Sequence, residues 1–225
     1  MKKIIVILLI ILASTVMAQS EASKPIQYGV KGGISFNHFL GDIPIDLDPR
    51  LYTGFSAGVF ANYKVNDNFS IQPEVIYSRK GSNFEEFKFE SERYQFAQIF
   101  KLDLYIKTDW IEIPILAMYQ INKDLAILGG PYIGFYLSGK VVAEPSIGGI
   151  LGIDWDYDID AKMLRLPDYG IVLGGKYKFN DKLAIQGRWT YGIQDLADDV
   201  IVTFLDDDFI VINNSSFQFQ LDFTI

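Results

Sequence analysis

The chain has 225 residues, a formal net charge of −8, one histidine and no cysteine. This length suits a single β domain, the acidic balance argues against nucleic-acid binding, and without cysteine neither disulfides nor thiol chemistry can contribute. Beyond the N-terminal region no run of about 18 apolar residues occurs, so we expect no membrane-spanning helix.

Residues 1–18 have the pattern of a secretory signal peptide. Two lysines precede a short apolar run over residues 4–12, and small residues lead up to Ala18, after which we expect cleavage. The apolar run is shorter than the roughly 20 residues that a spanning helix needs. We therefore predict a removed leader, a short lead over residues 19–26, and one domain over residues 27–225.

A short strand-turn-strand unit occurs three times in nearly the same letters. Each copy has Tyr three residues before an Asn and a large apolar residue three after it, over residues 63–69, 119–125 and 177–183. The stretches on either side alternate apolar and polar residues, which indicates β-hairpins. Long connections lie between the hairpins, over residues 37–53, 81–108, 140–166 and 192–216. Tight turns at one end and long loops at the other are typical of an outer-membrane β-barrel.

We predict eight strands, each with period-two alternation and a length that suits a tilted bilayer crossing. They cover residues 27–37, 53–64, 69–80, 109–120, 125–139, 168–178, 183–192 and 217–225. An even number of antiparallel strands can close without leaving an unpaired edge in lipid. The predicted fold is therefore all-β, an eight-stranded antiparallel up-and-down transmembrane β-barrel with both termini at the periplasm.

Alternation alone does not show which face is outside, because a soluble lipocalin-type barrel turns its apolar set inward. The polar set contains glycines, which suit the interior of a narrow barrel, and several charges, which suit a polar lumen better than a dry core. These charged residues are Lys31, Glu74, Glu112, Lys176, Arg188 and Asp222. We therefore predict that the apolar set faces lipid.

This orientation also predicts two belts of interfacial aromatic residues. The periplasmic girdle would contain the tyrosines that open the repeated units, Tyr63, Tyr119 and Tyr177. The belt at the other rim would contain Tyr77, Trp189 and Tyr191.

The inward charges suggest an ion-pair network. Glu74, Glu112 and Arg188 lie at similar distances from their turn asparagines and should sit at similar heights, where Arg can bridge two carboxylates. A second pair is expected where the first and last strands meet, Lys31 with Asp222. The favoured interpretation is a network that fills a poreless barrel. The alternatives are acid–base chemistry by paired carboxylates or a charged constriction in a small channel.

The densest acidic run lies in the third long loop and contains Asp154, Asp156, Asp158 and Asp160. It does not fit the EF-hand pattern, because Ile159 stands where Gly is needed and Arg165 where the bidentate Glu belongs. A solvated hairpin arm is the favoured interpretation, and a divalent-cation loop is the alternative. The fourth loop is also acidic, and cations could bridge such loops to lipopolysaccharide phosphates.

The only histidine, His38, lies where the first strand enters its loop, near Ser35 and Asp42 in sequence. Catalysis would need a nucleophile, a base and an orienting group within hydrogen-bond reach, and the sequence does not fix such a geometry. There is no Gly-Lys-Ser/Thr phosphate loop and no His-Glu-x-x-His. We predict no catalytic residue, no metal site and no cofactor.

Six strand segments carry a family resemblance, residues 29–37, 54–60, 71–78, 111–114, 129–134 and 169–175. Together they resemble the PorT-like outer-membrane β-barrel domain family, among the small OmpA-like porin-family barrels of Gram-negative bacteria. The resemblance covers residues 27–225. It implies an outer-membrane location and, for some members, a link to secretion or maturation of surface proteins; it implies no reaction.

The sequence therefore favours a non-enzymatic outer-membrane barrel with a structural or interaction role through acidic extracellular loops, or as an accessory to secretion. The expected partners are outer-membrane lipid, lipopolysaccharide and envelope or secretion proteins. One alternative is a small channel or ligand-admitting porin, and another is a hydrolase or acyltransferase at the rim.

Overall fold

The computed structural model describes residues 26–40, 49–84, 100–147, 150–151, 155–158, 167–196 and 213–225. These contain β1 (Ile26–Leu40), β2 (Pro49–Lys64), β3 (Phe69–Phe84), β4 (Phe100–Gln120), β5 (Leu125–Ile147), β6 (Ile150–Leu151), β7 (Trp155–Asp158), β8 (Asp168–Lys178), β9 (Leu183–Gly192) and β10 (Asn213–Thr224). No helix in the described part of the chain is long and apolar enough to span a membrane.

Eight of these strands form a closed antiparallel ring. Each pairs with its neighbours in chain order, β5 pairs with β8, and β1 closes the ring against β10, where Val30 lies opposite Phe223. The short strands β6 and β7 pair only with the far part of β5. The predicted eight-stranded antiparallel barrel is confirmed.

The three tight turns explain the repeated asparagine. The Oδ1 atom of Asn66 accepts hydrogen bonds from the backbone N–H groups of Asn68 and Phe69, at 3.0 and 2.9 Å. Asn122 and Asn180 make the same pair of bonds in their own turns. The side chain thus holds the backbone in a turn, and all six strand ends at these turns lie where the sequence predicts them.

The loop side of the barrel differs from the prediction. β4 begins at Phe100 and β5 ends at Ile147, and the two strands remain paired over the whole of this length. β3 also runs on to Phe84, so parts of the predicted loops 81–108 and 140–166 are strand. We call residues 100–108 and 139–147 the β4–β5 extension.

The apolar set faces outward and most of the polar set faces inward. Ile34, Leu173 and Phe219 are about half exposed on the outer wall, whereas Gln72 and Gln218 are fully buried. An outward apolar band and an enclosed polar interior are what a membrane barrel requires.

The interior is not polar on all sides. A buried apolar cluster lines the wall formed by β4, β5 and β8, and contains Leu116, Met118, Ala126, Leu128, Tyr132 and Val172. The charged and amide side chains come mainly from β1, β3, β9 and β10. A narrow barrel is packed by its side chains, and an apolar side chain can fill such a space as well as a polar one.

Candidate functional site

Five charged side chains on the tight-turn side of the lumen form one chain of contacts, which we call the lower network: Lys31, Glu74, Lys176, Arg188 and Asp222. Lys31 Nζ lies 2.7 Å from Glu74 Oε1, and Arg188 Nη1 lies 2.7 Å from Glu74 Oε2. Lys31 Nζ also lies 3.4 Å from Asp222 Oδ1, whose other oxygen is 2.7 Å from Lys176 Nζ. All five side chains are buried.

The lower network crosses the full width of the barrel. Glu74 is on β3 and Arg188 on β9, and these strands stand opposite each other in the ring of eight. Lys176 on β8 likewise lies 4.9 Å from the ring centre of Phe60 on the opposing strand β2. The contacts therefore act as struts across the middle of the lumen.

Phe60 was missed from the sequence, although its even position in β2 places it with the inward residues. Its ring lies beneath the ammonium groups of both Lys31 and Lys176. It packs against Gly29, where a β-carbon would overlap the ring. Gly29 therefore makes room for an aromatic ring that adds cation–π contacts to the network.

Neutral amides add hydrogen bonds to three members of the lower network, Lys31, Glu74 and Arg188. Gln72 Nε2 donates to Glu74 Oε1 at 2.6 Å, and Lys31 Nζ donates to Gln186 Oε1 at 3.0 Å. Arg188 donates through Nε and Nη2 to Gln218 Oε1 at 2.8 and 2.6 Å. Such partners matter because a buried ion pair is retained only when its remaining donors and acceptors are satisfied.

A second group lies nearer the loops and is called the upper network: Lys80, Glu112, Tyr132, Asp168 and Asn214. Lys80 Nζ lies 2.5 Å from Glu112 Oε1 and 5.5 Å from the ring centre of Tyr132. The Tyr132 hydroxyl donates to Asp168 Oδ2 at 3.0 Å, and Asn214 Nδ2 donates to the same oxygen at 2.9 Å. Asp168 is thus held by neutral donors.

Glu112 departs from the expected grouping with Glu74 and Arg188. The register places it opposite Ile76, one inward position farther from the tight turns than Glu74, and it pairs with Lys80. Counting residues from each turn overlooked the stagger between neighbouring strands. Lys31 and Asp222 are cross-strand partners, but Lys31 lies closer to Glu74, so the two expected groups form a single network.

The two networks complement each other in charge. The buried charged residues of the described chain are four cationic, Lys31, Lys80, Lys176 and Arg188, and four anionic, Glu74, Glu112, Asp168 and Asp222. The lower network has one extra cation and the upper network one extra anion. The enclosed charge is therefore balanced over the barrel as a whole, and long-range attraction between the networks favours that arrangement.

The aromatic residues predicted for the two belts lie on the outer wall. Tyr63, Tyr119 and Tyr177 are 47, 52 and 45% exposed and directly precede the tight turns. Near the other rim the Trp189 and Tyr191 rings lie 5.5 Å apart, and Tyr77 donates to Asp109 at 2.7 Å. Their membrane-anchoring role stays a prediction.

The remaining predicted candidates are not assembled into a site. Asp154 and Asp160 lie outside the described residues, and Asp156 and Asp158 are in β7, where only the backbone is described. Within the described ranges no group of three His, Cys, Asp or Glu side chains could hold a metal ion.

His38 and Ser35 occupy opposite faces of β1. Ser35 is buried in the lumen and accepts a hydrogen bond from Asn37 Nδ2 at 3.0 Å, whereas His38 belongs to the alternate, outward positions. Asp42 lies outside the described residues. The strand geometry therefore does not bring this serine and this histidine within catalytic reach.

A cavity of about 330 Å³ opens at the tight-turn end. Its lining includes Asn62, Lys64, Gln120, Lys123 and Lys178. Amide and ammonium groups that converge on such a cavity can contact a small polar or anionic molecule.

Comparison with known proteins agrees with this architecture. Residues 17–198, more than half of the chain, match the family described as outer membrane protein beta-barrel domain. A search of curated proteins returned no match.

Three solved structures are similar at low identity. Ail, the attachment invasion locus protein of Yersinia pestis, is 14% identical, with 88% of this chain and 98% of that chain covered and a TM-score of 0.45. Neisserial surface protein A is 13% identical, with 90% and 99% covered and a TM-score of 0.44. OprG of Pseudomonas aeruginosa is 9% identical, with 88% and 95% covered and a TM-score of 0.40.

Proposed function

We propose that this integral outer-membrane protein, which belongs to the outer membrane protein beta-barrel domain family, is a non-enzymatic barrel that acts through its extracellular surface. The observation that carries the proposal is the Glu74–Arg188 contact across the lumen, at 2.7 Å between side chains that are 0 and 1% exposed. Because side chains fill the middle of the lumen, we expect the function to depend on the outer surfaces of the protein.

The first step of the proposal is that the lumen is a structural core. The lower network connects five of the eight barrel strands, β1, β3, β8, β9 and β10, through charged contacts. The amide partners satisfy the remaining donors and acceptors of Glu74 and Arg188. Opening a path would separate these charges in a poorly hydrated interior, which costs several kcal/mol for each ion.

Secondly, two strands of the barrel extend well beyond the membrane. β5 continues for about 13 residues beyond Gly134, its last residue that pairs with β8, and this length corresponds to roughly 40 Å of strand. β4 accompanies it to Phe100, and β7 pairs with its outer edge. A paired sheet that projects from the rim is a rigid platform for a partner, whereas a short connecting loop would suffice to close the barrel.

We also propose which kind of partner the protein contacts. The strand segments that resemble the PorT-like family support an accessory role with envelope or secretion proteins as partners. The acidic segments of the third and fourth loops, including Asp154 and Asp206, would give the exposed end a negative charge. Such a surface attracts basic proteins or cation-bridged lipopolysaccharide.

Crosslinking in intact cells tests this role. A photoreactive phenylalanine at Tyr105, on the β4–β5 extension, should give a discrete, protease-sensitive protein adduct. The same residue at Tyr119, next to a tight turn, is the matched control and should not give that adduct. No protein adduct at Tyr105, or the same adduct from both positions, would contradict the proposal.

A ligand-admitting porin is the second candidate, and the 330 Å³ cavity at the tight-turn end is the observation that favours it. Liposome swelling in small sugars and amino acids separates the two functions. Swelling that is faster with the protein than with empty liposomes would support the porin, and unchanged swelling would support the closed barrel.

A further inference from the structure

A charged cluster lies on the outer wall, where the apolar band ends on β3, β4 and β5. Arg79 donates through Nε and Nη2 to the two carboxylate oxygens of Asp109, at 2.8 and 3.2 Å. Tyr77 and Ser138 donate to the same carboxylate at 2.7 and 3.2 Å. The Arg79 guanidinium also lies 5.4 Å from the ring centre of Phe55. The side chain is therefore fixed in place while it stays 39% exposed.

Two lysines extend this cluster away from the membrane centre. Lys107 lies two residues from Asp109 on β4 and therefore shares its face, and its cross-strand partner on β5 is Lys140. The Lys107 ammonium is 5.8 Å from the ring centre of Tyr105 and has no ion pair with a described residue. Like charges directly opposite each other in a sheet are destabilising, so this arrangement favours an anion between them.

The charged cluster lies at the level of the lipid headgroups of the outer leaflet. About ten residues of β4 separate Asp109 from Tyr119 at the tight-turn end. At about 3.3 Å per residue and a tilt of about 40°, they rise roughly 25 Å, which is also the height of the apolar band of an outer-membrane barrel. Arg79 therefore lies at the outer edge of the hydrocarbon, and Lys107 just beyond it.

The charge balance of the cluster is positive although the chain is acidic. Asp109 is bound by Arg79, whereas the Lys107 ammonium has no ion pair with a described residue. Asp158 of β7 is the other cross-strand partner of Lys140. Lys107 lies between Gly81 on β3 and Lys140 on β5. An anion bound beyond Asp109, next to the Lys107 ammonium, would therefore be stabilised most.

We infer that Arg79, Lys107 and Lys140 form a binding site for a lipid A phosphate of lipopolysaccharide in the outer leaflet. A phosphate accepts charge-assisted hydrogen bonds from ammonium and guanidinium groups. Lipid A carries that phosphate at the level of the headgroups with its acyl chains against the outer wall, where Tyr77 and Phe135 are outward-facing. The site needs no divalent cation, because its own side chains carry the positive charge.

The test uses the full-length protein in phosphatidylcholine nanodiscs that contain either phosphorylated or enzymatically dephosphorylated lipid A, with EDTA present. Wild-type protein should retain phosphorylated lipid A at least about tenfold better than the dephosphorylated form by native mass spectrometry, the effect of one charge-assisted bond. The double variant Lys107→Gln/Lys140→Gln should lose this preference. Arg79 is left intact because Asp109 depends on it.

The control is Lys182→Gln, which removes an exposed lysine at the tight-turn end that does not line the 330 Å³ cavity, and it should keep the wild-type preference. Heat-modifiable gel migration verifies that each variant is folded. Equal retention of both lipids by the wild type in EDTA, or an unchanged preference in Lys107→Gln/Lys140→Gln, would overturn the inference.

Discussion

The lower and upper networks enclose similar groups but stabilise them differently. In the lower network each ammonium or guanidinium lies within 3.4 Å of a carboxylate, and the Glu74–Arg188 contact spans the opposing strands β3 and β9. In the upper network one ion pair joins the neighbouring strands β3 and β4, and Asp168 is held by a hydroxyl and an amide. The difference indicates that the lower network is the element that locks the barrel across its width.

The two networks also depend on each other. The lower network has one surplus positive charge and the upper network one surplus negative charge, so changing a charge in either one unbalances the enclosed set. The loss in free energy of unfolding should increase with the number of partners left without a counter-charge. The following substitutions are ranked on that basis.

Glu74→Gln should have the largest effect, because Lys31 and Arg188 both lose their short carboxylate contact. Removing one member of a buried ion pair costs about 3–5 kcal/mol. Urea unfolding in detergent micelles, followed by tryptophan fluorescence, should show a decrease of that size in the free energy of unfolding. A decrease below about 1 kcal/mol, the size of an ordinary hydrogen bond, would show that the lower network is not the main lock.

Lys80→Met should come next and should cost about 3 kcal/mol, at the lower end of the range for a broken buried pair. Glu112 would lose its one ion-pair partner among the described residues, while the methionine keeps much of the packing volume against Tyr132. The same unfolding measurement applies. If this substitution costs more than Glu74→Gln, the proposed ranking of the two networks is reversed.

Asp168→Asn should have the smallest effect, about 1 kcal/mol, because its contacts to the Tyr132 hydroxyl and the Asn214 amide are neutral on the donor side and an amide oxygen can still accept them. It also removes the surplus negative charge of the upper network. A loss as large as that of Lys80→Met would mean that Asp168 acts as a counter-ion in spite of its neutral partners.

Much of the barrel could be predicted from local patterns. The tight turns follow from Asn66, Asn122 and Asn180, whose side chains bond the backbone two and three residues onward and need no distant partner. The two faces of each strand follow from alternation because lipid and lumen demand opposite side chains. Both signals are contained within one segment.

Features that depend on two or more strands were harder to predict. Glu112 pairs with Lys80 because of the stagger between β3 and β4, which no single strand reveals. The sequence analysis predicts loop for all of the β4–β5 extension except residue 139, although apolar and polar residues alternate from Lys101 to Lys107. Phe60 was overlooked because an aromatic residue is expected on the lipid side, and its place in the lumen depends on the space above Gly29.

We propose that ionic contacts close the lumen and that the protein acts from its outer surface. Single-channel recording of the purified protein in planar lipid bilayers tests it most directly, with Glu74→Ala/Arg188→Ala as the comparison. We expect no conductance steps for the wild type and steps for the double variant, in which the Glu74–Arg188 contact between β3 and β9 is removed. A wild-type protein that conducts steadily, with the same conductance in the double variant, would contradict it.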